Sequence, residues 1–209
     1  MACPLCGAKT HHFYNHKDRE FKFCTNCFSI SLDSKYFLSP EDEKKRYDLH
    51  KNISTDVEYQ KFVRPIVNAI QKDFTEKNTG LDFGSGKDSA ILKMLTDHGY
   101  KIKPYDPFYL NDKTLLKKTY DYIACCEVIE HFHNPHFNFK QLYNLLNPGG
   151  KLYCMTELYS ENMNFDSWYY KNDPTHVFFY NRKTIEWIAI RYEFKSVKIK
   201  DRLIIFEKP

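Results

Sequence analysis

The stretch Leu81-Asp82-Phe83-Gly84-Ser85-Gly86 decides the fold. Its apolar lead reads as a strand, its glycines as a tight turn, and the helical run from Ser89 to His98 follows directly. A strand that ends in a glycine turn and feeds a helix is the ligand-binding edge of a doubly wound α/β sheet. Gly84 and Gly86 remove side chains where backbone must approach a ligand, and Asp82 adds a carboxylate beside that approach. Lys101 to Tyr105 reads as the next strand. Asp106 closes it twenty residues beyond Gly86, where a carboxylate suits the paired hydroxyls of a ribose. Each acid alone has a plainer reading, Asp106 as a turn residue before Pro107 and Asp82 as a cap. The pair at this spacing after two strands favours a cofactor site.

Outward from this stretch, short strands alternate with helices from Thr79 onward, which predicts a Rossmann-like sheet with helices on both faces. A nicotinamide enzyme shares the first strand and turn, but its fingerprint wants a third glycine where Ser89 stands. Leu81 to Gly86, Tyr105-Asp106-Pro107, Asp121-Tyr122-Ile123-Ala124-Cys125-Cys126-Glu127-Val128-Ile129-Glu130-His131 and Leu146-Asn147-Pro148-Gly149-Gly150-Lys151-Leu152 together resemble the class I S-adenosylmethionine-dependent methyltransferases, over about Thr79 to Ala189. The resemblance implies that Asp82, Phe83, Gly84, Ser85, Gly86, Asp106, Pro107 and Glu127 surround the cofactor. A set of bacterial methyltransferases with an N-terminal zinc ribbon is similar as well in Arg46-Tyr47-Asp48-Leu49-His50 and Asp173-Pro174-Thr175-His176-Val177. Two departures stand out. Asp88 replaces a frequent third glycine, and only fourteen residues separate Asp106 from Asp121, too few for a helix and a strand, so the usual adenine wall must be abbreviated or supplied elsewhere.

After the strand Tyr122 to Cys126, the residues Glu127, Glu130 and His131 stand at i, i+3 and i+4, which predicts one helical face at the sheet's C-terminal edge. This Glu-x-x-Glu-His resembles the metal-binding motif of ubiquinone-biosynthesis O-methyltransferases and of small-RNA 3′-terminal 2′-O-methyltransferases, in which a later histidine completes the set. His176 stands at the corresponding place. Two carboxylates and two imidazoles suit Mg, Mn, Fe or Zn. In class I relatives without a metal, the same Glu orients the cofactor and the His serves as base or structural partner. Both readings stand. They make His131 and His176 the catalytic candidates and oxygen the favoured acceptor. His133 and His136 flank Asn134-Pro135 and read as helix-cap residues; Cys125, Cys126 and Cys154 read as core thiols. Trp168, Tyr169 and Tyr170 read as core aromatics or a pocket floor.

Nearer the N-terminus, Cys3-Pro4-Leu5-Cys6 and Cys24-Thr25-Asn26-Cys27 are C-x-x-C pairs separated by seventeen residues. A hairpin would bring four thiolates to one tetrahedral zinc site. Such an ion staples some thirty residues too few to build a core, or else presents a handle for RNA, protein or substrate. His11, His12 and His16 then read as exposed hairpin residues. Ser39-Pro40-Glu41-Asp42-Glu43 opens a helix through about Tyr47, and a second begins near Thr55 and buries one face despite Pro65. Arg46, Tyr47, His50 and Asn52 lie between them, where a lid could sit. The organisation expected is a zinc ribbon at 1–38, a helical linker or lid at 39–76 and a methyltransferase domain at 77–209.

Composition narrows the remaining choices. The formal charge of +4 is mild and the charges are interspersed, so nucleic acid is permitted as a partner without being demanded. No apolar leader or spanning segment is evident, which predicts a cytoplasmic protein with no membrane contact. The acceptor expected is a small hydroxylated molecule or RNA. The alternative of another class is a non-catalytic adapter with a degenerate methyltransferase domain.

Overall fold

The computed structural model describes residues 2–49 and 53–209; His50 and Asn52, read above as lid candidates, lie outside them. The chain opens with three antiparallel strands, β1 (Thr10–His16), β2 (Arg19–Cys24) and β3 (Ile30–Leu32). The β1–β2 register sets Thr10 opposite Cys24, so the hairpin returns the second cysteine pair to the first. Helix α1 (Pro40–Asp48) starts as its residues dictate. Ser39 Oγ accepts from the Asp42 N–H at 3.2 Å, Pro40 fills the first turn, and Glu41, Asp42 and Glu43 meet the positive end of the helix dipole. Helix α2 (Val57–Asp73) is capped by Asp56 and buries Val63, Ile66, Val67 and Ile70 on one face.

The second half builds β4 (Thr79–Phe83), α3 (Ala90–Asp97), β5 (Lys101–Tyr105), β6 (Tyr120–Cys126), α4 (Pro135–Asn144) and β7 (Leu146–Met155). A two-residue strand β8 (Phe178–Phe179), α5 (Arg182–Arg191), β9 (Ser196–Lys200) and β10 (Leu203–Glu207) complete it. Six strands form one sheet in the order β5-β4-β6-β7-β10-β9, parallel from β5 to β7, with β10 antiparallel to both its neighbours. Alternation along β6 fixes its two faces. Tyr122 and Ala124 pack with α2 and α3, whereas Ile123 and Cys125 pack with Phe139 of α4 and Ile188 of α5. The order reverses between β4 and β6, and such a switch point opens a crevice outside the carboxyl ends of those strands.

Between Asp106 and β6 the chain forms a loop with a single 3-10 turn at Leu115–Lys117, so the sheet ends at β5 as the short spacing requires. Strand β8 joins β3 instead of the six-stranded sheet, pairing Phe179 with Ile30 and Phe178 with Ser31. The N-terminal strands therefore share a core with the main sheet, in which Phe21, Ile30 and Leu32 meet Phe178, Phe179 and Tyr180. Two local readings need correction. His133 and His136 do not cap α4: Asn134 does, accepting from the Phe137 N–H at 3.0 Å. Cys126, unlike buried Cys125 and Cys154, is only half-buried and lines the crevice. Among the described residues no helix is long and apolar enough to cross a membrane.

Gly80 lies under the Tyr122 ring, where an added Cβ would sit 2.1 Å from a ring carbon. Because that ring is fully buried, Gly80→Ala is expected to cost about 1–3 kcal/mol, read as a lower urea or thermal midpoint. An unchanged midpoint would contradict this packing.

Candidate active site

The glycine turn after β4 is built as a ligand cradle. Gly84 and Gly86 adopt φ of 77° and 64°, a region costly for other residues. A Cβ on Gly84 would collide with Val128 at 2.4 Å, while one on Gly86 would meet no protein atom within 4 Å. Phe83, Ser85, Gly86, Asp106 and Pro107 line a cavity of about 1450 Å³. Asp82 does not. Its carboxylate is buried behind that wall and accepts from Ser89 Oγ at 2.5 Å, and Ser89 in turn caps α3. Asp106 spreads its two oxygens over the N–H groups of Gly86 (2.9 Å), Phe108 (2.8 Å) and Tyr109 (3.1 Å). It thus shapes the turn, its plainer role, while also lining the cavity.

Phe108, Tyr109 and Leu116 supply the wall beside Asp106, from the loop that replaces the missing strand. Across the cavity, α1 contributes Glu43, Arg46 and Tyr47 from one face and α2 contributes Tyr59 and Phe62. Arg46 pairs with Asp173 at 2.7 Å, Glu43 bonds His133 at 2.9 Å, and the Tyr47 ring meets His131 edge-on at 5.3 Å. Arg46 and Tyr47, read above only as lid candidates, and His133, read as a helix-cap residue, therefore line the cavity. The available signal was that the segments bearing Arg46 and Asp173 are the same two shared with zinc-ribbon methyltransferases.

The Glu-x-x-Glu-His segment is not a helical face. Glu127 stands at φ 52° and only Ile129–His131 turn, as a single 3-10 turn. Glu127 consequently diverges from Glu130. It accepts from Arg202 Nη2 at 2.5 Å and from the Tyr170 hydroxyl at 3.0 Å. Glu130 is fully buried and accepts from Thr156 Oγ1 at 3.0 Å and from the same Tyr170 hydroxyl. Burial pushes both carboxyls above the usual carboxylate range, and Glu130's charge adds to the rise at Glu127. Arg202 opposes it, and no residue pattern announced that arginine in its turn between β9 and β10. Tyr170 lies on the wall, Tyr169 is exposed there, and Trp168 is core.

His131 and His176 come together, with ring centroids 4.8 Å apart. Nδ1 of His131 donates to the Thr175 carbonyl at 2.9 Å and Nδ1 of His176 to the Tyr170 carbonyl at 2.7 Å. A carbonyl only accepts, so each neutral ring carries its lone pair on Nε2. Burial lowers the His131 pKa and favours that neutral form. Donor atoms of Glu130, His131 and His176 lie within 4.8 Å of one another, a two-imidazole, one-carboxylate set that fits a divalent cation; Glu127 is outside it.

A second cluster gathers the sulfurs of Cys3, Cys6, Cys24 and Cys27 within 4.8 Å of one another, a donor set that fits one tetrahedral zinc ion. The hydrogen bond shared by Cys3 and Cys27 lowers the Cys3 thiol and raises that of Cys27, so one proton is held between the two sulfurs. His11 and His12 point to solvent and His16 is half-buried; none joins the four sulfurs.

Residues 56–199, well over half of the chain, match the family described as a methyltransferase domain. The chain belongs to that methyltransferase family. Solved structures agree on the fold. A methyltransferase from Archaeoglobus fulgidus described as SAM dependent gives a TM-score of 0.55 at 15% identity, over 71% of this chain and 94% of that one. The 1,6-didemethyltoxoflavin-N1-methyltransferase of Burkholderia thailandensis gives 0.55 at 11% identity, over 96% and 99%. An O-methyltransferase family protein from the same organism gives 0.53 at 9% identity and covers 79% of this chain, which spans only 61% of that protein's length. No curated protein matches the chain. Family and sheet order make this a Rossmann-like class I methyltransferase.

Burial raises the Asp82 carboxyl of the methyltransferase to about 6, against the Ser89 hydrogen bond, which lowers it. The folded value exceeds the unfolded one of about 3.9, so between about pH 4 and 6 the native state keeps a proton that the unfolded chain has lost. Stability then falls as pH rises through that window, by at most about 3 kcal/mol for about two units. Asp82→Asn should remove this component, so urea midpoints of wild type and variant converge toward pH 4 and separate toward pH 6 with the variant higher. Parallel profiles would refute the assignment.

Proposed function

We propose that this methyltransferase transfers the methyl group of S-adenosylmethionine to the oxygen of a small hydroxylated acceptor, with His131 and His176 at the acceptor end. The observation that carries the reading is the shared tautomer of the two imidazoles, each tied through Nδ1–H to a backbone carbonyl so that Nε2 bears the lone pair. The donor brings a sulfonium-activated methyl. The chain's own work is to hold the donor on the Gly84 to Gly86 turn and beside Asp106, to align the acceptor for in-line attack, and to take its hydroxyl proton on a histidine Nε2. A small acceptor is favoured over RNA because α1 crosses the cavity and is tied to the far wall by the Arg46–Asp173 and Glu43–His133 pairs.

A second reading has its own observation. The convergence of Glu130, His131 and His176 suits a divalent cation, which would lower the pKa of a bound hydroxyl in place of an imidazole base. Separately, Cys3, Cys6, Cys24 and Cys27 are assigned one structural zinc.

Calorimetry with S-adenosylhomocysteine tests the donor assignment. Wild type should bind, and Gly86→Val, which puts a branched side chain at positive φ into the cavity, should weaken binding at least about tenfold. A wild-type chain that binds nothing would favour a non-catalytic adapter. Plasma mass spectrometry on wild type, His131→Ala and His176→Ala separates the two acceptor-end readings. One zinc in all three supports the imidazole base, and a second ion lost from both variants supports the cation. Once an acceptor is in hand, either alanine variant should lower kcat by about 10²–10⁴; wild-type turnover in both would remove the histidines from the reaction.

A further inference from the structure

Strand β8 belongs to the N-terminal sheet, and it begins two residues after His176. Val177, between them, is held from both sides. Its carbonyl accepts from the Leu32 N–H of β3 at 2.8 Å, and its own N–H donates to the Glu130 carbonyl at 2.9 Å. The backbone of His176 is thus fixed by a bond to the N-terminal strands and a bond to the turn that carries His131.

The preceding loop is tied to the same strands. Arg19 of β2, half-buried and with its pKa lowered by that burial, donates from Nη2 to the Lys171 carbonyl at 3.0 Å and from Nη1 to the Asp173 carbonyl at 3.5 Å. The Tyr14 hydroxyl of β1 donates to Asp166. The Phe13 and Phe21 rings pack edge-on against Phe165 at 5.0 and 5.4 Å. This loop carries Tyr170, which donates to Glu127 and Glu130 and whose carbonyl orients His176. Like charge opposes the arrangement: burial and then the Arg19 charge lower the Lys171 pKa, while Asp18 and Asp173 favour the charged guanidinium of Arg19.

We infer that the four-cysteine ribbon is the positioning scaffold of the acceptor half of the active site, and that Arg19 is its positioning residue. The inference rests on His131 and His176 being the acceptor-end pair. Closing the cysteine cluster fixes the β1–β2 hairpin; the hairpin presents Arg19 and braces β3; these two contacts set segment 165–177, and with it Tyr170, Asp173 and His176. The glycine turn and Asp106, assigned above to the donor, stand at the ends of β4 and β5, and among the described residues their hydrogen bonds run to that turn and the loop after β5, not to the ribbon. The ribbon therefore acts on one half of the cavity alone.

Hydrogen exchange read by mass spectrometry on the full chain tests this without needing the acceptor. In Arg19→Ala the amides of 171–177 should exchange about tenfold faster, while peptides covering 79–126 and the calorimetric affinity for S-adenosylhomocysteine stay within twofold. Arg19→Lys, which keeps a donor, should restore most of the protection. Stripping the metal from wild type with a chelator should loosen 165–177 in the same way, and zinc should reverse it. Unchanged exchange in 165–177 in both the alanine variant and the stripped protein overturns the inference, as does loosening that reaches 79–126 to the same degree. Loss of S-adenosylhomocysteine binding in the wild type is a separate failure, of the donor assignment, and leaves the exchange result readable.

Discussion

Glu130 is a carboxylate with no exposure to solvent, and that constraint reaches through most of the molecule. Withdrawing an ionisable group from water costs several kcal/mol unless hydrogen-bond donors replace the lost solvation. The donors are the hydroxyls of Thr156, at the end of β7, and of Tyr170, on a segment forty residues beyond Glu130. Tyr170 must therefore be delivered accurately, and it serves a second carboxylate, Glu127, with the same hydroxyl. The Glu130 carbonyl meanwhile accepts from Val177. Side chain and backbone of one buried residue thus fasten the segment bearing His176 to the turn bearing His131, and the two imidazoles meet as a result.

That fastening explains why the N-terminal strands are fused to the main body. Some thirty residues cannot close a core of their own. Here Phe21, Ile30 and Leu32 are buried against Phe178, Phe179 and Tyr180, so the ribbon and the β8 segment complete one another. The cysteine cluster fixes the far end of the hairpin, and the aromatic contacts fix the near end.

Much of this architecture was legible because its signals are local. The glycine turn, the strand periods, the Ser39-Pro40 helix start and the paired cysteines each need only a few neighbouring residues. The helical reading of Glu127, Glu130 and His131 failed for a related reason: i, i+3, i+4 spacing fits a helix, but five residues hold too few hydrogen bonds to enforce one. Val128 packs where Gly84 lacks a side chain, and the fully buried Ile129 and Glu130 pull the chain into a tight turn behind a left-handed Glu127. The partners of the site were illegible because they are remote. Arg202 meets Glu127 across 75 positions with nothing in either neighbourhood to encode the other, and Arg46 meets Asp173 across 127, linked beforehand only by the family resemblance of their two segments.

The shortened stretch after Asp106 also accounts for the position of α1. With the sheet ending at β5, the crevice beyond Asp106 has only a loop for its wall, and Phe108 and Tyr109 occupy it. A loop so short lacks a helix layer to hold it rigid. Asp48 at the end of α1 supplies that support, accepting from the Tyr109 hydroxyl at 2.9 Å and from Lys87 at 3.1 Å, and Lys44 together with these two donors holds its carboxyl well below the usual range. Tyr47, one residue earlier, packs on Phe108 at 5.5 Å and on His131 at 5.3 Å. One short helix thereby supports the Phe108–Tyr109 wall and touches His131 across the cavity.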